Sequence, residues 1–520
     1  MKPHALACLL TLAASGGALA QSQVDTVKIT GGTVQGVASG DVVSFKGIPF
    51  AASPAGLNRW RPPQPVQAWS GVKRADSFGP GCMQDASMAV MLGAPPKVSE
   101  DCLYLNVWTP ARSASERLPV MVWIYGGAFS AGMTSSPLYD GTRLAQQGVI
   151  VVGIAYRVGP FGFLAAHQLA RESRGTGNYG LLDLIAGLQW VKTNIDAFGG
   201  DSARVTIFGE SAGGIAVSML AATPLAKGLF QRAISESGGN FQPPKFANEG
   251  GLNGLPLKLA EKEGEQFLAD LGTRDVMAAR TVSADLIQHN AGPALAMRFW
   301  PVFDGYVLPG DEYQLYELNR FNDTPALIGT NSDEGALSAQ PGVTAVSFRT
   351  QVQQGYGSKA SAILTAYPSS TDAEAATSSK NLFRDTAFAW PTWAWARLQS
   401  RVGKSPVFVY YFDHRTPSSP EGATHGAEMQ YVFGNFDRSQ GEPSAADVAL
   451  SEHMMMYWVN FAKTGDPNGT GLPNWPAFNQ NAQQVVYFDA TIAAKAVPNL
   501  AQLQVLDDYF SWRRAEAEKR

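Results

Sequence analysis

The sequence predicts an α/β protein: a large central mixed, mostly parallel sheet flanked by helices, with a small N-terminal sheet edge. Three observations lead there. Strand-like apolar runs alternate with stretches of helical period along the whole chain. The period switches abruptly within Arg204–Gly214 (RVTIFGESAGG), where a short buried strand meets a turn and then a helix. No charge run, repeat or low-complexity block interrupts residues 21–520, so that stretch reads as one domain although its length alone would suggest two or three.

Composition narrows the class. A hydrophobic fraction of 45%, with 26 Phe and 12 Trp, can fill a large core, and 16% charged residues suits a chain with much interior. Net charge is −4 and the pI about 5.9. No basic stripe is present to bind nucleic acid, and no second apolar segment could anchor the chain stably in a membrane.

Residues 1–20 carry one early cation, Lys2, then the apolar run Ala5–Ala14, then Ala18-Leu-Ala20. This is the pattern of a signal peptide cleaved near Ala20, too short to span about 30 Å of hydrocarbon, and it predicts a secreted or periplasmic protein. Of three cysteines, Cys8 leaves with that segment. Cys82 and Cys102 remain, and an even pair in an exported chain predicts a disulfide, two free thiols being the alternative.

Residues 27–81 mix short strands with turns. The loop between Cys82 and Cys102 carries Met83, Met88, Val90, Met91 and Leu92, and either covers an apolar cleft as a lid or packs as a surface loop. Leu103–Trp108 alternates as a strand, and Leu118–Tyr125 is a fully apolar one. Gly126-Gly-Ala-Phe129 follows it, and a glycine pair at the end of a buried strand frees backbone N–H groups to point into a site. Gly148–Tyr156 is the next buried strand, and Gly180–Lys192 is helical in period. Then comes the switch: Gly209 and Gly213 lie two residues either side of Ser211. This is the G-x-S-x-G pattern in which a strained strand-to-helix turn lifts a serine hydroxyl clear of the sheet.

Two longer stretches carry a family resemblance, Phe198–Gly213 (FGGDSARVTIFGESAG) and Glu100–Pro110 (EDCLYLNVWTP). With them the chain resembles the type-B carboxylesterases, the α/β-hydrolase group that also holds cholinesterases and fungal lipases, and the similarity runs from about Val27 to Trp512. The resemblance implies an α/β-hydrolase fold and a catalytic triad. Its acid would be Glu334 in Pro325–Gly335, with the adjacent Asp333 as the competing carboxylate. The base must be one of six histidines, and His425, in Gly422–Gly434, matches the H-G-x-E segment of the family. His4 lies in the leader, His167 and His453 in helical stretches, His289 in a helix or turn, and His414 just past the strand Val407–Phe412. The order Ser211, Glu334, His425 agrees with the fold.

By the same resemblance the oxyanion donors are the N–H groups of Gly127, Ala128 and Ala212. Ala128 stands where the family has a third glycine, which predicts poor acceptance of tertiary-alcohol esters. Glu210 and Ser237 match positions that buttress the histidine and acid. Phe299 and Trp300 match the acyl side of the pocket, and Arg298 beside them either meets an acidic substrate or faces solvent. No aromatic residue lies between Cys82 and Cys102, so the cation–π partner of a cholinesterase is missing.

The expectation is a serine carboxylesterase for small or medium neutral esters. A lipase for longer acyl chains is the rival enzyme, and a non-catalytic binding protein on the same scaffold the rival of another class. No Cys/His cluster has metal spacing and no phosphate or dinucleotide fingerprint follows a strand, so no cofactor or metal is expected.

Overall fold

Eleven strands form one sheet whose centre is parallel. In a computed structural model, which describes residues 24–85, 97–247, 249, 251–292 and 297–519, the order from edge to edge is Ala493–Ala496, Gln484–Phe488, Val407–Phe412, Ala326–Asn331, Arg232–Glu236, Gly200–Glu210, Leu118–Ile124, Ile150–Ile154, Tyr104–Thr109, Val42–Pro49 and Val37–Ser39. The strands from Gln484–Phe488 to Ile150–Ile154 pair in parallel, and the outer pairings on both sides are antiparallel. A separate three-stranded sheet, Thr26–Ile29, Gly32–Gln35 and Val72–Arg74, supplies the N-terminal edge. The expected leader and most of the proposed lid, residues 86–96, lie outside the described residues.

The central strands are apolar on both faces because helices cover both. Val407–Phe412 and Ala326–Asn331 are buried at every residue. Tyr104–Thr109 departs from the alternation expected of it. Leu105–Thr109 are buried at successive residues, so both faces of this strand are covered. The helix expected at Gly180–Lys192 runs over Tyr179–Asn194. One continuous apolar cluster extends from Val27 to Phe510. Among the described residues no helix is long and apolar enough to cross a membrane.

Cys82 and Cys102 are joined by a disulfide, with their Cα atoms 4.9 Å apart. The described part of Asn240–Pro256 is anchored by side-chain hydrogen bonds, among them Asn240 Nδ2 to Glu312 Oε1 at 2.9 Å and Gln242 Nε2 to the Thr386 carbonyl at 2.5 Å.

Candidate active site

The strand Gly200–Glu210 ends at Ser211, and the helix Ala212–Ala222 begins on the next residue. Ser211 makes the corner with φ +56° and ψ −125°, a conformation that L-residues rarely adopt and that needs its surroundings to hold it. Those surroundings are backbone. The Ser211 N–H donates to Glu236 O at 2.9 Å, and Ile215 N–H to Ser211 O at 2.8 Å. A Cβ on Gly213 would stand 2.0 Å from the Ile124 carbonyl oxygen, so helix and sheet meet there without room for any side chain. Ser211 Oγ makes no hydrogen bond among the described residues.

The Gly126–Phe129 loop passes directly beside the serine. A Cβ on Gly126 would lie 2.9 Å from Ser211 Cβ, and one on Gly127 only 2.4 Å from Ala131 O. Gly127, Ala128 and Phe129 all have positive φ, at +101°, +54° and +52°. This run of left-handed residues turns the N–H groups of Gly127 and Ala128 away from internal acceptors. Together with the N–H of Ala212, which opens its helix and so has no partner one turn back, they donate to nothing among the described residues.

Glu334 follows the strand Ala326–Asn331 and is fully buried. Its Oε2 lies 2.5 Å from Nδ1 of His425. Its Oε1 accepts from the Asn331 N–H at 2.8 Å and from the Ser237 hydroxyl. The competing Asp333 instead pairs with Lys380 at 3.2 Å. On the other side of the imidazole, Nε2 lies 3.2 Å from Glu210 Oε1, an ion-pair separation rather than an aligned hydrogen bond. A Cβ on Gly426 would come within 3.3 Å of the same oxygen, which fits a bare residue next to His425.

The remaining described histidines stay apart. His414 bonds Asp447 at 2.7 Å, His167 contacts Arg171, and His289 and His453 lie on helices.

The electrostatics are unusual for the number of buried acids. Glu210, Glu334 and Glu428 act on the one imidazole, and Glu236 lies behind them, acting on Glu428 and Glu210. Burial alone works against the imidazolium, but the Glu210 and Glu334 carboxylates outweigh it and push His425 up to about 10. Burial pushes Glu210 up to about 7 against the opposing pull of His425, and Glu428 up to about 8 with help from the Glu210 and Glu334 charges. Glu236 rises as well, chiefly by burial, although the Trp458 indole donates to it at 2.7 Å.

Sequence reasoning passed over Asn331, Glu236 and Glu428. Asn331 bridges two of the acids, its N–H on Glu334 and its amide on Glu428 Oε2 at 2.5 Å. Asn331 and Glu428 lie inside Pro325–Gly335 and Gly422–Gly434, Glu428 being the acid of the H-G-x-E segment itself, and Glu236 directly precedes Ser237. Trp300 packs edge-on against Phe129 at 4.9 Å and so reaches the loop beside Ser211. Phe299 packs on Phe267 at 4.9 Å, away from Phe129, and Arg298 is partly exposed and pairs with Asp270 at 3.4 Å.

Residues 23–506 match the family described as the carboxylesterase family. The chain belongs to the carboxylesterase family. This carboxylesterase is 36% identical to a fumonisin B1 esterase of Sphingopyxis macrogoltabida over 485 residues, 88% of this chain and 85% of that one. It is 36% identical to the para-nitrobenzyl esterase of Bacillus subtilis (strain 168) over 496 residues, 91% and 97% of the two chains. Pig (Sus scrofa) liver carboxylesterase is 35% identical over 513 residues, 87% and 86% of the two. A solved PNB esterase structure superposes with TM-score 0.83 at 35% identity, covering 93% of this chain and 99% of that one. The fold is thus that of the α/β-hydrolases, and the protein is a carboxylic ester hydrolase acting on small-molecule esters.

Proposed function

We propose that this carboxylesterase cleaves its esters by a two-step acyl transfer, with Ser211 as nucleophile, His425 as general base and acid, and Glu334 as the group that orients the imidazole. The observation that carries the reading is the Glu334–His425 contact of 2.5 Å next to a serine on a strained corner. A serine hydroxyl is a poor nucleophile until a base takes its proton. A Cβ on Gly126 would lie 2.9 Å from both Glu210 Oε2 and Ser211 Cβ, and Glu210 is the carboxylate towards which Nε2 of His425 is turned, which supports a base beside the serine.

His425 removes the proton as Oγ attacks the ester carbonyl. The C–O bond to the alcohol then breaks, and the leaving alkoxide takes that proton from Nε2. Water repeats the sequence on the acyl-enzyme, releasing the acid and restoring Ser211. Charge gathers on the carbonyl oxygen in both steps, and in this reading the N–H groups of Gly127, Ala128 and Ala212 receive it; that they donate to nothing among the described residues supports the assignment. Trp300, through Phe129, bounds the acyl side. The substrates are small or medium neutral esters. The Cys82–Cys102 disulfide supports an exported protein with a cleaved leader.

Hydrolysis of p-nitrophenyl esters from acetate to palmitate by the mature protein and its Ser211→Ala variant tests this reading. A short-chain optimum and loss of about 10⁶-fold in kcat in the variant support it. A palmitate optimum overturns the substrate class, and turnover unchanged by Ser211→Ala overturns the nucleophile.

A further inference from the structure

The helical stretch Asp372–Val402 contains one π-helical turn, Asp385–Ala389. Its cause is in the sequence. Pro391 has no N–H, and its ring crowds the carbonyl four residues back, so regular α-helical bonding cannot continue through it. The Trp390 N–H reaches five residues back to Asp385 O instead. Thr386 O, whose partner in that register would be Pro391, accepts from Gln242 Nε2 at 2.5 Å. The turn is held at its start by Asp385, fully buried, which accepts from Tyr367 OH at 2.9 Å and from Arg384 Nε at 2.8 Å.

A π-helical turn shifts the register of side chains around the helix, and such turns gather at functional sites. Here it delivers Phe388, 1% exposed, onto the His425 ring, with centroids 4.7 Å apart and planes at 32°. The other groups facing the imidazole are charged or ionisable: Glu334 on Nδ1, Glu210 towards Nε2, and Glu428 from its own loop. The Asp385 carboxylate is neutralised locally by Arg384, so the wall formed by the π-helical turn is the apolar one.

We propose that Phe388 is a positioning residue for acyl transfer. Its ring keeps the His425 imidazole from swinging out of line with Glu334 and the nucleophile, and its face favours the imidazolium that forms when Ser211 gives up its proton. A cation within about 6 Å of an aromatic centroid is attracted by the ring quadrupole, and the gain grows when both are away from water. The inference rests on the reading of His425 as the base.

The test compares Phe388→Leu, Phe388→Tyr and His425→Gln with the parent enzyme on p-nitrophenyl butyrate from pH 5 to 10. Phe388→Leu is expected to lower kcat about three- to thirtyfold, the range an aromatic face is worth to a cation. KM should stay within about twofold, since the contact is made to the imidazole and not to substrate. Losing the ring that favours the cation moves the acid limb of kcat to lower pH, a change that mere loosening of the fold does not produce. Phe388→Tyr keeps the ring and is expected to keep both kcat and the limb. A folded Phe388→Leu enzyme with parental kcat and an unmoved limb overturns the proposal, as does a tyrosine variant impaired as far as the leucine one. If Phe388→Leu does not fold, Phe388→Met takes its place with the same expectations. Retained activity in His425→Gln would instead overturn the base assignment, whereas its loss alongside a normal Phe388→Leu would remove only Phe388.

Discussion

Glu210 Oε1 lies 3.2 Å from Nε2 of His425, the nitrogen opposite the one that contacts Glu334. The imidazole is therefore flanked by two carboxylates, and each favours its protonated form. Only the neutral ring can take a proton from Ser211, so the rising limb of kcat/KM is expected above the ordinary histidine value of about 6.5. Glu210→Gln removes one of the two charges at nearly constant shape. The limb should move to lower pH by about one unit or more, the size of effect a close opposite charge has. A pH–rate profile of the variant that coincides with that of the parent would show that Glu210 does not act on His425.

Much of this site was legible in the sequence because the motifs are backbone devices. The glycines of Gly209–Gly213 and Gly126-Gly127 mark places where a Cβ would collide with main chain, and those collisions are what the structure shows at Gly213 and Gly127. Glu334 and His425 were found through the segments around them, since nothing in the local pattern around either brings together residues 91 positions apart. Phe388 was not legible at all. Its contact depends on a single shift of helical register at Pro391, and a phenylalanine in an apolar helix reads as core. Glu236 and Glu428 were overlooked for a related reason: a buried acid is recognised only when its neighbours are known, and those come from the ends of different strands.

The same buried acids predict how stability varies with pH. In the folded protein Glu210 and Glu428 are raised to about 7 and about 8, and His425 to about 10. Each group therefore holds its proton more tightly when folded than when unfolded. Their contributions are fully present below the unfolded values, about 4.3 for glutamate and 6.5 for histidine, and are lost as pH rises through the folded values. Asp447 acts in the other direction. Burial is outweighed by hydrogen bonds from Ser444, Tyr431 and His414, which lower it to about 2, so its contribution is lost only as pH falls through about 2. Tm by calorimetry is expected to be highest near pH 5 and to fall steadily towards pH 9. A Tm that rises over that interval would mean the cluster is not protonated as described.

Ala128 has φ +54° in the loop beside Ser211, a region where a Cβ costs about 1–2 kcal/mol and glycine costs little. In the proposed mechanism the methyl group also takes up space next to the N–H groups that receive the oxyanion. Ala128→Gly is therefore expected to relieve both, with a gain on tert-butyl esters relative to n-butyl esters. The ratio of kcat/KM for the two esters measures it, and an unchanged ratio would place the steric limit elsewhere.

Ser237 combines two properties that can be separated by experiment. Its φ is +49°, and its hydroxyl donates to the Glu334 oxygen that does not contact His425. Ser237→Ala removes the donor and keeps the strain, leaving the Asn331 N–H, at 2.8 Å, as the remaining donor to that oxygen. A hydrogen bond to a charged group is worth about 1.5–3 kcal/mol, and a buried acceptor left short of a donor loses much of that. Ser237→Gly removes the same donor but relieves the backbone. If the hydroxyl acts through Glu334 on the imidazole, both variants should lose kcat to a similar extent, about tenfold, with KM unchanged. The glycine variant should nonetheless unfold at a higher temperature than the alanine one. Equal melting temperatures would show that the corner at Ser237 stores no strain, and a normal kcat in both would show that Asn331 and His425 alone hold Glu334 in place.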